Sequence, residues 1–124
     1  MGLSEVMSVP ITLIIDTDEN RQSVVPALRD AGYRVIEAVE SGEEVRYILD
    51  DSTHIIIVGE EMPPIDGVEL LPLLRRLTRS QIIVLGSGGE TALVRALLQG
   101  ADFYLSRPVT VRELIARIRA LLRR

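Results

Sequence analysis

The chain has no cysteine, which rules out both a disulfide framework and a thiolate metal site. Lysine is absent too: all 14 basic residues are arginine, a bias that fits genome composition better than function. The single histidine, His54, stands at the start of an apolar run with no acid–base partner in sequence view, and reads as structural rather than catalytic. No apolar run approaches the roughly 20 residues of a membrane span. Residues 1–10 lack the basic segment followed by an apolar one that marks a signal peptide. A cytoplasmic location is the expectation.

What is present suits one globular domain. With 124 residues, 47% hydrophobic and 26% charged, the chain can bury roughly two thirds of its unfolded surface and hold a core without staples. The net charge of −4 is unevenly placed: residues 37–69 hold ten acids and one arginine, residues 107–124 six arginines and one acid. The basic end is either a solvated helix face with favourable C-terminal charge or a partner-docking face.

Periodicity supplies the architecture. "ITLIID" (11–16), "HIIIV" (54–58) and "QIIVLG" (81–86) are short, continuous apolar runs rich in Ile and Val, as in strands buried on both faces of a parallel sheet. "YRVIEA" (33–38) and "DFYLS" (102–106) are shorter, more alternating candidates. Helical patterns separate them at 19–31, 41–50, 67–77, 90–99 and 111–122. Capping boxes are formed by Ser41 with Glu44 and by Thr110 with Glu113. Val45, Ile48 and Leu49 form one apolar stripe; Val111, Leu114, Ile115, Ile118, Leu121 and Leu122 form another. Gly100 is a helix terminator, and Pro26 and Pro72 predict kinks or shifted starts. Five strand–helix units in alternation specify an α/β, doubly wound sheet with helices on both faces. Residues 1–9 form a lead-in and 10–124 the domain.

Ligands of such sheets bind beyond the carboxyl ends of the strands. That rule selects Asp16, Thr17 and Asp18, then Gly59 to Glu61, then Gly86 and Ser87, then Arg107 and Pro108.

"LIIDTDEN", "EEMPPIDGVELL", "IIVLGS" and "GADFYLSRPVTVRELIARIRALLRR" together resemble, over nearly the whole chain, the response-regulator receiver domain of two-component signalling. The last stretch is most similar to receivers of the OmpR/PhoB type, which carry a winged-helix DNA-binding domain downstream. The resemblance implies a CheY-like, flavodoxin-like fold with five parallel strands in the order 2-1-3-4-5. It also implies an aspartate phosphorylated by a histidine kinase, with Mg2+ held by neighbouring carboxylates.

Carried over by position, most of that site is missing. The acceptor aspartate stands four residues before the loop proline, and counting back from Pro63 lands on Gly59. The paired acids after the first strand become Asp16 and Thr17. The hydroxyl residue that holds the phosphoryl group becomes Gly86, and the lysine becomes Arg107, before a retained Pro108. Tyr104 keeps the place of the switch aromatic. Three carboxylates and one cation leave a negative pocket that suits a divalent ion; Asp16 with Arg107 sums to zero. Mg2+ binding is therefore expected to be absent or weak, Asp18, Glu19 and Glu61 being the acids that remain within reach. Acyl-phosphate chemistry needs a carboxylate nucleophile, and Gly59 supplies none. Glu60 is expected to project away if Gly59 faces the pocket, and Ser87 is open to the same objection more weakly; a loop twist that brings Glu60 in would instead leave a receiver with residual phosphorylation at a neighbouring acid. No enzyme constellation is present.

Two functional readings follow. One is a pseudo-receiver: an interaction module that forms a homodimer or docks a histidine kinase or other partner, touching DNA only through a domain outside this chain. Receivers of this type dimerise through the fourth helix, fifth strand and fifth helix; matching positions are Arg95, Asp102, Glu113, Arg117 and Arg124. Phe103 replaces an expected acid there and Leu93 a basic residue. Glu113 with Arg117 is equally a plain i, i+4 helix pair. The other reading is a small-ligand or anion sensor, in which "GSGGE" (86–90) and Arg107 cradle an anion; a glycine-rich turn is more often only a turn.

Overall fold

The structure, a computed structural model, describes residues 10–38, 45–49 and 52–123. Its elements are β1 (Ile11–Ile15), α1 (Asp18–Asp30), β2 (Arg34–Glu37), α2 (Val45–Leu49), β3 (Thr53–Gly59), β4 (Glu61–Met62), β5 (Ile65–Asp66), a 3-10 turn (Gly67–Leu70), α3 (Leu71–Leu77), β6 (Gln81–Gly86), α4 (Glu90–Gln99), β7 (Phe103–Ser106) and α5 (Val111–Leu122). Five of the strands form one sheet in the order β2-β1-β3-β6-β7, every pair parallel. Counting its strands along the chain, this is the expected 2-1-3-4-5 order.

Ile55 to Val58 have no solvent exposure, because β3 is central and covered on both faces. Alternate residues feed two cores. One gathers Leu13, Ile56, Val58, Ile82, Val84 and Tyr104 with Ile48 of α2, Leu71 and Leu74 of α3 and Ala96 of α4. The other gathers Ile14, Ile55, Ile57, Ile83 and Leu105 with Val25 and Leu28 of α1 and Leu114, Ile118 and Leu121 of α5.

Local signals explain the helix ends. Thr17 caps α1 by accepting the Asn20 N–H, and Thr110 caps α5 by accepting the Glu113 N–H. Gly100 closes α4 at φ 124°, in the left-handed region that side chains avoid. Pro72 falls at the start of α3, so the expected helix at 67–77 divides into the 3-10 turn and a shorter α-helix. Pro26 neither breaks nor restarts α1; it lies on the exposed side, where water reaches the carbonyl its missing N–H leaves free.

Two expectations need correction, and three lie outside the described residues. Leu49 does not join the buried stripe and is 62% exposed, leaving Ile48 to anchor α2. Residues 61–66 are a small antiparallel hairpin, pairing Glu61 with Asp66 and Met62 with Ile65 across a cis Pro63–Pro64 bond, rather than a plain loop. The lead-in 1–9, the Ser41–Glu44 capping box and Arg124 lie outside the described residues.

Candidate functional site

Asp16 leaves the carboxyl end of β1 immediately before the Thr17 cap, which fixes its direction. Its side chain is fully buried. Oδ1 accepts the Thr17 N–H at 2.7 Å and the Asn20 amide at 3.0 Å, and Oδ2 accepts from the Arg107 guanidinium at 2.8 Å. Arg107 comes from the end of β7, its own N–H donating to the Gly86 carbonyl at 2.6 Å, ahead of a cis bond to Pro108. The carboxylate thus has three donors and a neutralising charge, the condition for burying an ion without a large penalty.

Gly59 ends β3 directly opposite. A Cβ on it would lie within 3.0 Å of Oδ1, Oδ2 and Cγ of Asp16. The room that a side chain at position 59 requires is therefore filled by the Asp16 carboxyl group. Gly67 is as constrained: a Cβ there would meet the Gly59 carbonyl within 3.0 Å, because the hairpin folds back tightly over the end of β3.

Glu60 fills a second space. A Cβ on Gly86 would meet Glu60 Oε1, Glu60 Cβ and the Tyr104 hydroxyl within 3.0 Å. Glu60 does point away from the Asp16 side, as strand alternation requires, but it lies over Gly86 rather than in solvent. Its Oε1 accepts from the Tyr104 hydroxyl at 2.7 Å, and that hydroxyl accepts the Gly88 N–H at 2.9 Å. Burial, then the hydrogen bond to Glu60, pushes the phenol up to about 12.

The hairpin is tied to the next loop and helix by two further links. Glu61 accepts the Ser87 N–H at 2.8 Å, and Asp66 accepts from the Arg95 guanidinium at 2.8 Å. Asp66 also caps the 3-10 turn through the Val68 N–H. The hydrogen bond from Arg95 holds the Asp66 carboxyl below the ordinary carboxylate range.

These contacts bear on each candidate residue. Asp18 turns to Arg21 and is exposed, away from Asp16. The glycine-rich turn has the Ser87 N–H on Glu61 and the Gly88 N–H on Tyr104, so two amides an anion would need are occupied. Among the described residues no three His, Asp or Glu side chains converge as a metal site would require. With both Asp16 oxygens taken and a guanidinium against them, the residues present do not fit the divalent ion that the fold implies. His54 lies at the opposite end of the sheet, its Nδ1 accepting the Ile11 N–H at 3.3 Å.

The candidate dimer face is largely engaged within the chain. Arg95 is on Asp66; Asp102 accepts the Ile82 N–H at 2.7 Å and faces Arg75 at 3.9 Å. Arg117 stacks on the Phe103 ring, 5.0 Å from its centre, rather than pairing with Glu113. Tyr104 is buried in one core, and Phe103 is half-buried against the other, beneath α5. Sequence reasoning missed the Glu60–Gly86 exchange, the hairpin, and Asn20 as a partner of Asp16; Asn20, one turn after Asp16 on a capped helix, was the available signal.

A parallel, doubly wound five-stranded sheet in the order 2-1-3-4-5, with Asp16, Gly59 and the Arg107–Pro108 pair at its carboxyl edge, has the architecture of the CheY-like flavodoxin fold. The sequence profile of the response regulator receiver domain matches residues 11–119, and the chain belongs to that family. It is 39% identical over 114 residues to the transcriptional regulatory protein CpxR of Klebsiella pneumoniae, covering 90% of this chain and 49% of that protein. It is 34% identical over 122 residues to the phosphate regulon transcriptional regulatory protein PhoB of Pseudomonas aeruginosa, covering 91% and 52%. The chain thus spans about half the length of the curated relatives it matches. A two-component response regulator from Clostridium difficile superposes with TM-score 0.81 at 27% identity, over 93% of this chain and 97% of that one. A CheY-like receiver domain protein from Methanospirillum hungatei gives 0.79 at 28%, over 93% and 94%. Among the described residues no helix is long and apolar enough to cross a membrane.

Proposed function

We propose that this domain is a pseudo-receiver: a receiver that has lost phosphoryl acceptance and serves as an interaction module, self-associating or docking a partner without phosphorylation. The observation that carries this reading is the Asp16 carboxyl group, paired with Arg107, in the space where a side chain on residue 59 would begin. An acceptor needs an exposed carboxylate and a negative pocket around a metal; here the one carboxylate is buried and neutralised. The names of CpxR and PhoB, both transcriptional regulatory proteins about twice as long as their match, support a cytoplasmic regulator whose DNA contacts lie in another domain. A histidine kinase remains the natural class of docking partner, without phosphotransfer. The anion-sensor reading is disfavoured by a turn in which the Ser87 and Gly88 N–H groups are already bonded.

The test is intact-mass spectrometry after incubation with Mg2+ and acetyl phosphate. The expected result is an unchanged mass. A gain of one phosphoryl group, mapped to Glu60 or Asp16, overturns the proposal.

A further inference from the structure

A cleft of about 450 Å³ opens between α1 and α5. Its walls are Val24 of α1, Leu85 near the end of β6, Val109 in the loop after β7 and Leu114 of α5. All four belong to, or pack against, the core that those two helices cover, whereas Tyr104, which holds the glycine-rich turn, belongs to the other core. Ser23, Arg107 and Thr110 also line the cleft and supply polar groups. The volume falls within the range of small-molecule sites, about 300–1,000 Å³, and hydrocarbon walls with a few polar groups are their usual make-up. The cleft also lies at the carboxyl edge of the sheet, where ligands of doubly wound folds bind. We infer that it binds a small organic monocarboxylate, an acid with an aliphatic body.

Three observations fix that class. First, among the described residues that line the cleft, Arg107 is the one charged side chain and none is an acid. Its partner Asp16 is wholly buried, while Arg107 keeps 24% of its side chain exposed, so a ligand meets the cation in front and the carboxylate behind. The bond to Asp16 at 2.8 Å is made by one Nη of the guanidinium. The other N–H groups of that fork are left for a second carboxylate. Second, the Thr110 hydroxyl accepts the Glu113 N–H at 3.0 Å, and its own proton is left to donate. Third, Val24, Leu85, Val109 and Leu114 offer hydrocarbon alone, which favours an aliphatic body over a sugar or a polyphosphate. Asp16 with Arg107 sums to zero, so the site also lacks the charge to balance a dianion. Bound there, the ligand touches α1 and the β7–α5 loop together and holds one against the other. The inference goes beyond the pseudo-receiver reading and does not depend on it.

Heteronuclear NMR of the 124-residue chain, titrated with sodium hexanoate and separately with hexanol, tests this. The expected result is a set of saturable shifts centred on Val24, Val109 and Leu114, with a dissociation constant on the order of millimolar for so small a ligand. Hexanol, which keeps the body and lacks the charge, should bind roughly fivefold more weakly or worse. Ser23 is exposed and stands outside both the core and the ion pair. Ser23→Phe should therefore fill the mouth of the cleft and abolish the shifts, with circular dichroism showing a native fold. Asp16→Asn combined with Arg107→Met removes the cation and its partner together, and should leave hexanoate binding no better than hexanol. Equal affinity for the two probes in the unmodified chain, or a preference for hexanoate that survives the double variant, overturns the carboxylate. Shifts that never saturate, or that survive Ser23→Phe, overturn the cleft as the site. A chain that ignores hexanoate and also stays unlabelled by acetyl phosphate would lose this site and keep the loss of phosphoryl acceptance.

Discussion

Gly59 and Asp16 share one space: a side chain on residue 59 would begin where the Asp16 carboxyl group already lies. The glycine is therefore a packing requirement of the present site. Gly59→Ala should destabilise the fold by about 1–3 kcal/mol, the usual cost of overpacking, read as a shift in the urea midpoint. Gly59→Asp should cost more, because it sets a second carboxylate beside a fully buried one. That variant should also stay unlabelled by acetyl phosphate, since Thr17 and Gly86 leave the metal and phosphoryl contacts incomplete. A neutral Gly59→Ala would mean that Asp16 swings aside freely.

The Asp16–Arg107 pair should behave as a buried structural ion pair. Asp16→Ala strands the Arg107 guanidinium, the Thr17 N–H and the Asn20 amide, and a loss of about 2–4 kcal/mol is expected. Asp16→Asn should cost less, since its carbonyl still accepts. A double-mutant cycle of Asp16→Asn with Arg107→Met should give a coupling of about 1–3 kcal/mol; additive losses would show that the pair is not coupled.

Magnesium should leave stability alone. A ligand that binds only the folded state raises the melting temperature through mass action, by about 2.7 kcal/mol at a hundredfold excess over its dissociation constant. With Asp16 fully bonded, millimolar Mg2+ and excess EDTA should give the same melting curve. A magnesium-dependent rise that Asp16→Asn abolishes would show a site that opens.

Much of this was legible from the residues. Continuous Ile and Val runs marked the buried strands, and the spacing of Thr110 and Glu113 marked the start of α5, whereas the Thr17 cap of α1 emerged only in the structure. The place of Gly59 at the end of β3 was readable too, because Pro63 fixes the frame of its loop. The hairpin was not, since two-residue strands leave no periodicity to detect. Nor was the placement of Glu60: strand alternation says which side it leaves from, but not that a glycine 26 positions later vacates room for it. The engagement of Arg95 with Asp66 and of Arg117 with Phe103 depends on tertiary approach, which outranks the helix-pair rule applied to Glu113 and Arg117.

The Glu60–Tyr104 contact gives a signature at alkaline pH. The Tyr104 phenol is pushed up to about 12, first by burial and then by the hydrogen bond to Glu60, from an ordinary value of 10. A group whose folded value is raised contributes stability that is complete below its unfolded value and lost as pH climbs through the folded one. The stabilising contribution should therefore hold up to about pH 10 and fall away between about pH 10 and 12. An ultraviolet phenolate titration should show a step near 12 that Tyr104→Phe removes. Glu60→Ala should move that step down without returning it fully to 10, because burial, the larger cause, remains. It should also open the space above Gly86. A Tyr104 that titrates at its ordinary value in the native protein would mean that the hydroxyl is free, and with it the loop that Glu60 holds.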